Sequence, residues 1–213
     1  IHFSSPEKLD EAARAIERHG RFTLFVRDKE SLELARKHFP CEAILCPDMA
    51  FFIGPIDRPR SPELDVLYLL RTDVERVELG DAPPSGPNLR IADWLDEPKL
   101  GLSVAKAWGA LSGAAGGGPS ALRLGMFNAA AEARVRRGAR LLSSGRTVVT
   151  DRLHTHIISL LLGIPHAVLD NSYGKVSRFM SCWTSASTLT HRCDSMTAAV
   201  EWAKHQAVGA RPN

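Results

Sequence analysis

Four side chains stand where an α/β protein can put them to chemical use. Arg27 follows the apolar run Phe22-Thr23-Leu24-Phe25-Val26, Arg71 follows Leu64 to Leu70, and Arg152 and His154 follow Thr147 to Thr150. In open parallel sheets, ligands bind beyond the carboxyl ends of the strands, so strand ends are the first places to look for a site. Guanidinium groups capture planar carboxylates and phosphates bidentately, and the unpaired backbone N–H groups at a helix start add to an anion site. Any one of these arginines is equally well explained by a nearby carboxylate, and Asp28, Asp73 and Asp151 lie close in the chain. Three strands that each end in arginine point instead to a site for a small, highly charged anion.

His154 sharpens that reading. It falls in the first turn of the helix expected after Thr150, where the positive end of the helix dipole disfavours an imidazolium. A bound polyanion reverses the bias, so His154 becomes a proton donor when an anionic substrate is present. His156, two residues on, does not share its face and is read as structural.

The elements that must position these residues alternate between strand and helix. Pro6 to His19 reads as a helix capped by Ser5, with Pro6 at its first position, an apolar stripe of Leu9, Ala12, Ala13 and Ile16, and Gly20 as its stop. Phe22 to Val26 is a strand apolar on both faces. Asp28 can cap a second helix to about His38, Ala43 to Leu45 is a short strand, and Pro47-Asp48 opens a turn. Pro55 to Pro62 looks like a linker. Leu64 to Leu70 is a continuous apolar strand, as a sheet covered on both sides requires.

Further on, Ala82 to Pro87 is a Pro-rich loop and Leu89 to Trp94 another strand. Gly113 to Pro119 reads as a flexible surface loop, with neither a P-loop nor a GxGxxG pattern. Ala121 to Leu142 is a helix whose Arg134, Arg136, Arg137 and Arg140 form a solvated basic face. Thr147 to Thr150, Asp151 to Leu162 and His166 to Leu169 make a compact βαβ unit, with Gly163 and Pro165 stopping its helix. Helices at about Lys175 to Cys182 and Asp194 to His205 close the chain. This order predicts an α/β fold with Rossmann-like parallel sheets.

The bulk properties are compatible with that picture. The sequence has 213 residues, 44% hydrophobic and 24% charged, which excludes a mainly disordered chain, a collagen-like one and a coiled coil. A net charge of +3, from 27 Lys and Arg against 24 Asp and Glu, is far from the footprint of a nucleic-acid-binding domain. Cys41, Cys46, Cys182 and Cys193 match neither zinc spacings nor a secreted disulfide framework, and reduced thiols in a cytoplasmic protein are expected. No apolar run approaches the roughly 20 residues that a membrane-spanning helix needs. About 150 residues per domain makes this length one large domain or one and a half small ones.

One resemblance covers most of the chain. Val149-Thr150-Asp151-Arg152-Leu153-His154, followed by Ile157, Leu162-Gly163-Ile164-Pro165 and Asp170-Asn171-Ser172-Tyr173-Gly174-Lys175, resembles the polysaccharide pyruvyl transferase family. Leu24-Phe25-Val26-Arg27-Asp28-Lys29-Glu30-Ser31, with Pro47-Asp48-Met49-Ala50-Phe51, is similar to an upstream motif of the same family. The resemblance implies two Rossmann-like domains arranged as in GT-B glycosyltransferases. It implies transfer of pyruvate from phosphoenolpyruvate onto a sugar as a ketal, in exopolysaccharide or cell-surface glycan biosynthesis. Arg27, Arg152 and His154 match positions assigned to donor binding and catalysis, and Arg71 and Lys175 match recurrent basic positions.

On this basis His154 and Arg152 are expected to be catalytic, and Arg27, Arg71 and Lys175 to bind substrate. The chemistry calls for no metal and no cofactor beyond phosphoenolpyruvate as donor substrate. The expected partners are that donor and a sugar acceptor, free or lipid-linked, with no nucleic acid. A lipid-linked acceptor would be met at the inner face of the membrane, by peripheral contact. Two other functions use such an architecture: a GT-B nucleotide-sugar glycosyltransferase, for which no convincing ribose or base signature is present, and a non-catalytic binding module. The expected domains are 1–59, the C-terminal part of an N-terminal Rossmann-like domain that is otherwise incomplete, and 60–213, a C-terminal one.

Overall fold

The protein, seen in a computed structural model, is described here for residues 1, 3–71, 83–94, 99–114, 119–170 and 174–209. It is mixed α/β, with two separate parallel sheets. The smaller comes first. Helix α1 (Pro6–His19) starts at Ser5 and stops at Gly20, whose φ of 70° is the left-handed conformation that favours glycine. Ser5 has the extended backbone of a cap, but its hydroxyl makes no capping bond to a backbone N–H. Strands β1 (Thr23–Val26) and β2 (Glu42–Leu45) pair in parallel around α2 (Lys29–His38), and the Asp28 side chain accepts from the Ser31 N–H to cap α2. Val26, Ala35 and Phe39 form the small core between them. The run that forms β1 is apolar on both faces, yet one of those faces is left open, with Phe25 61% exposed. An apolar side chain alone could not reveal that this face of a two-stranded sheet is left open.

The larger sheet holds β3 (Leu64–Leu69), β4 (Leu89–Ala92), β5 (Gly145–Thr150), β6 (His166–Val168) and β7 (Thr190–Arg192), in the order β4-β3-β5-β6-β7 and parallel throughout. Its helices are α3 (Lys99–Ala114), α4 (Pro119–Ser143), α5 (Leu153–Leu161), α6 (Lys175–Trp183) and α7 (Met196–Gly209). The register explains the continuous apolar runs. Leu67 pairs with Val148 and Tyr68 with Val149, so alternate residues serve opposite faces. One face, with Leu67, Leu69 and Val148, packs on Ala139 and Leu142 of α4 and Ile158 of α5. The other, with Val66, Tyr68 and Val149, packs on Ala199, Val200 and Ala203 of α7. Such a doubly wound sheet changes winding direction between β3 and β5, and ligands are expected above that point.

Three local readings are corrected and one strand is added. The stretch before Gly113 forms α3, which runs on through Gly113 to Ala114. Its Gly- and Ala-rich composition carries little helical periodicity, and tight packing on α4 supplies what propensity lacks. Indeed, a Cβ on Gly109 would lie 2.3 Å from the Gly125 carbonyl oxygen. Strand β7 has only three residues and no apolar alternation to announce it. The basic stripe on α4 is not wholly solvated, since Arg137 Nη2 donates to the Trp94 carbonyl at 3.1 Å. The Pro-rich stretch after Gly54 is no loose linker. Ile56 N–H donates to the Leu161 carbonyl (2.8 Å), and Arg58 Nη2 donates to those of Ser143 (3.0 Å) and Gly145 (2.6 Å). The readings at Thr72-Asp73, at Ala82, at 115–118 and at Asn171-Ser172-Tyr173 lie outside the described residues.

His156 is structural, as its position two residues after His154 predicts. It is fully buried and chained to His166 and Thr184. His166 Nδ1 must donate to the Ile164 carbonyl (2.7 Å), so its Nε2 accepts from His156 Nδ1 (2.8 Å), and His156 Nε2 accepts from the Thr184 hydroxyl (3.0 Å). This arrangement holds with both rings neutral, which their burial favours. Burial, with the neighbouring ring against it, pushes His156 down to about 3, and burial pushes His166 down to about 4. An unfolded chain takes up these protons below about pH 6.5, while the folded one resists until near pH 4. Stability should thus fall as pH drops from 6.5 towards 4, at up to roughly 1.4 kcal/mol per pH unit for each histidine. Urea midpoints measured across that range test this, and a flat profile would contradict it.

Candidate active site

The site grows from the carboxyl ends of the strands. At the end of β5, Asp151 is buried and its Oδ1 accepts from the Arg71 N–H at 2.9 Å, tying the loop after β3 to the loop after β5. Burial raises the Asp151 carboxyl, against the opposing effect of that hydrogen bond. Thr150 Oγ1 donates to the Leu69 carbonyl at 2.7 Å and accepts from the Arg152 N–H at 3.1 Å. Arg152 has extended backbone and precedes the first residue of α5, so the helix begins later than the sequence suggests. Its side chain turns back across the sheet. Nε and Nη2 donate to the Leu70 carbonyl (3.3 and 3.2 Å), and Nη2 also meets Asp93 Oδ1 at 3.2 Å. One guanidinium thereby clasps the ends of β3, β4 and β5, and its Nη1 lies outside those bonds.

The other two elements come from outside that central trio. Arg27 directly follows β1, and its partner is Asp48 rather than the adjacent Asp28. The Trp183 indole N–H of α6 donates to the Arg27 carbonyl at 2.8 Å, and Arg178 pairs with Glu30 at 2.6 Å, fastening the small sheet to α6. Lys175 is the first residue of α6, after Gly174 in the left-handed conformation. His154, the second residue of α5, is 64% exposed, and its Nε2 lies 3.7 Å from Asp48 Oδ2.

These placements converge. Arg27, Arg71, Arg152, His154 and Lys175 all line one open cleft of about 330 Å³, together with Trp94, Leu153 and Thr155. The cleft lies where β3 and β5 end side by side, at the winding reversal. An adjoining hollow of about 410 Å³ shares Arg27, Leu153 and Lys175, and adds Phe25, Asp28, Ser31, Asp48, Met49 and Phe179. Four cationic side chains around one imidazole can neutralise a polyanion and deliver a proton to it. The strand-end rule misses Asp48, Asp93 and Trp94. All three follow a strand, Asp93 and Trp94 directly after β4 and Asp48 three residues after β2, so the same rule applied to those strands would find them.

Fold and site together define a doubly wound, Rossmann-like protein with a cationic cleft at the topological switch point. The chain belongs to the polysaccharide pyruvyl transferase family, whose model matches residues 1–173. It is 33% identical over 195 residues to Pyruvyl transferase 1 of Schizosaccharomyces pombe (strain 972 / ATCC 24843), covering 89% of this chain and 46% of that protein. It is 27% identical over 188 residues to EpsO of Bacillus subtilis (strain 168), which carries a provisional pyruvyl transferase name, covering 86% and 57%. General stress protein 30 of the same bacterium is 26% identical over 170 residues, covering 79% and 44%. The chain spans about half the length of these curated relatives. Among the described residues, no helix is long and apolar enough to cross a membrane.

Proposed function

We propose that the protein transfers the pyruvyl group of phosphoenolpyruvate onto two hydroxyls of a sugar, forming a cyclic ketal on an exopolysaccharide or cell-surface glycan. The observation that carries this reading is the convergence of Arg27, Arg71, Arg152, Lys175 and His154 on one cleft. The donor bears a carboxylate and a phosphate on three carbons, and the four cations suit its capture. His154 gives a proton to the vinyl CH2, which becomes a methyl group and leaves an oxocarbenium-like C2. A sugar hydroxyl attacks C2 and loses its proton, which restores His154. The C2–O bond to phosphate then breaks, a second hydroxyl closes the ring, and its proton leaves with the hydrogen phosphate. Donor and side chains account for every step, so no metal or cofactor enters the scheme.

The acceptor is a glycan, free or lipid-linked, with two hydroxyls close enough to close one ring. Where it is lipid-linked, the enzyme works at the inner, cytoplasmic face of a membrane by peripheral contact. The adjoining hollow, with Asp28, Ser31 and exposed Phe25 and Met49, gives a neutral sugar both hydrogen-bonding groups and apolar surface. The architecture we propose for the full-length protein is GT-B-like, with residues 1–59 and 60–213 contributing to its two domains.

The test is incubation of the full-length protein with phosphoenolpyruvate and a panel of glycans, read by mass spectrometry and phosphate release. We expect a glycan that gains a pyruvyl ketal, with one phosphate released per transfer. Sugar transfer from a nucleotide-sugar donor under the same conditions would replace this reading with a glycosyltransferase. Donor binding without turnover on any glycan would reduce it to a binding module.

A further inference from the structure

In the sequence Asp48 opens a turn and lies within the Pro47 to Phe51 stretch. In the structure its two carboxylate oxygens do different things. Oδ1 accepts from the Ala50 N–H at 3.0 Å, capping the short 3₁₀ turn Met49–Ile53. Oδ2 pairs with Arg27 Nη1 and lies 3.7 Å from His154 Nε2. The side chain is 10% exposed, so backbone and burial fix where this carboxylate stands. Arg27 follows β1 of the small sheet and His154 lies in α5 beside the large one, far apart in the chain, and both meet Asp48.

We propose that Asp48 is a positioning residue that locks the Arg27 guanidinium and the His154 ring into one geometry across the cleft. This rests on the pyruvyl transfer reading given above. Burial alone would raise the Asp48 carboxyl, but the Ala50 N–H, the Arg27 guanidinium and the His154 ring outweigh it and hold it below its usual range. Asp48 is therefore a permanent anion beside the proton donor. The charged groups around His154 are Arg27 at the end of β1, Arg71 after β3, Arg152 just before α5, Lys175 on α6 and Asp48. The first four are cationic, and Asp48 sets a fixed negative charge beside the ring. The ring nitrogen nearest the carboxylate is Nε2.

The test uses Asp48→Asn, which keeps an oxygen for the Ala50 N–H and removes the charge. The His154 ring is followed by NMR through a pH titration of the full-length protein, its signal assigned by its loss in His154→Gln. At this separation, removing one unit charge near the surface should move the titration midpoint to lower pH by about half to one unit. In turnover assays the same variant should lower kcat several-fold, raise KM for phosphoenolpyruvate and move the falling limb of the pH–rate profile the same way. Asp48→Glu keeps the charge and should restore most of the midpoint. If the amide variant unfolds, Asp48→Ser retains a capping oxygen without the charge and repeats the measurement. An unchanged His154 midpoint in a folded, uncharged variant would overturn the proposal. The titration needs no turnover, so an inert wild-type enzyme would sink the pyruvyl transfer reading separately.

Discussion

Replacing His154 with alanine is expected to lower turnover by about 10²- to 10⁴-fold, the usual contribution of a positioned proton donor. The fold should survive. The side chain is 64% exposed, so the change in stability should stay within about 0.5 kcal/mol, as for most surface substitutions. Donor affinity should also survive, because the four cations around the cleft remain. The informative comparison is therefore kcat, from phosphate release at saturating donor, against the urea midpoint of the same preparation. Near-normal turnover in a folded variant would remove His154 from the chemistry. Lost turnover together with a lost fold would not support the role assigned here.

Arg152 should show a different pattern, because its guanidinium serves the sheet as well as the cleft. Its side chain is 15% exposed and bonds the Leu70 carbonyl and Asp93. Arg152→Ala removes a charge-assisted partner from both and leaves them poorly solvated, which should lower stability by roughly 1.5–3 kcal/mol. The same change opens the clasp beside Arg71 and withdraws a cation from the donor, so kcat/KM should fall by more than about 10²-fold. Arg152→Lys separates the two effects. It restores charge to the cleft, but a single ammonium cannot reach Leu70 and Asp93 in the planar geometry of a guanidinium. It should therefore regain part of the donor affinity and little of the stability. Equal urea midpoints for wild type, Ala and Lys variants would show that the clasp contributes nothing to the fold.

The two variants also mark what could be read in the sequence. Arg27, Arg71, Arg152 and His154 were legible because a strand end is a local event. An apolar run stops, and the next residues must lie at the carboxyl edge of a sheet. The larger sheet was legible for a similar reason, since Val66 to Leu69 and Val148-Val149 put apolar side chains on both faces, and these are buried on both faces. What governs Arg27 and Arg152, however, is which carboxylate each one finds. Asp28 is next to Arg27 in the chain, yet it turns inward to cap α2 at Ser31 and leaves Arg27 to Asp48. Arg152 bonds Asp93, 59 residues away. Those choices depend on how separate elements pack, which no spacing rule encodes. The exposed face of β1 escaped for the same cause, since Phe25 has the same residue type in the open as it would in a core.

The Pro-rich stretch between the two sheets bears on how the cleft is put together. Arg58 and the Ile56 N–H tie it down onto α5 and the start of β5, and the Trp183–Arg27 and Arg178–Glu30 bonds fasten the small sheet at a second point. Two separate attachments remove the hinge that a loose tether would have provided. The position of Arg27 opposite Arg152 is thus settled when the chain folds, and no swinging of the small sheet is needed to bring the two cations together around a ligand. Each of those two cations is already held by a carboxylate, Arg27 by Asp48 and Arg152 by Asp93, so its position does not depend on the ligand. Little ordering entropy is then lost at the moment of binding, and the dipoles and charges that stabilise a developing transition state are already aligned.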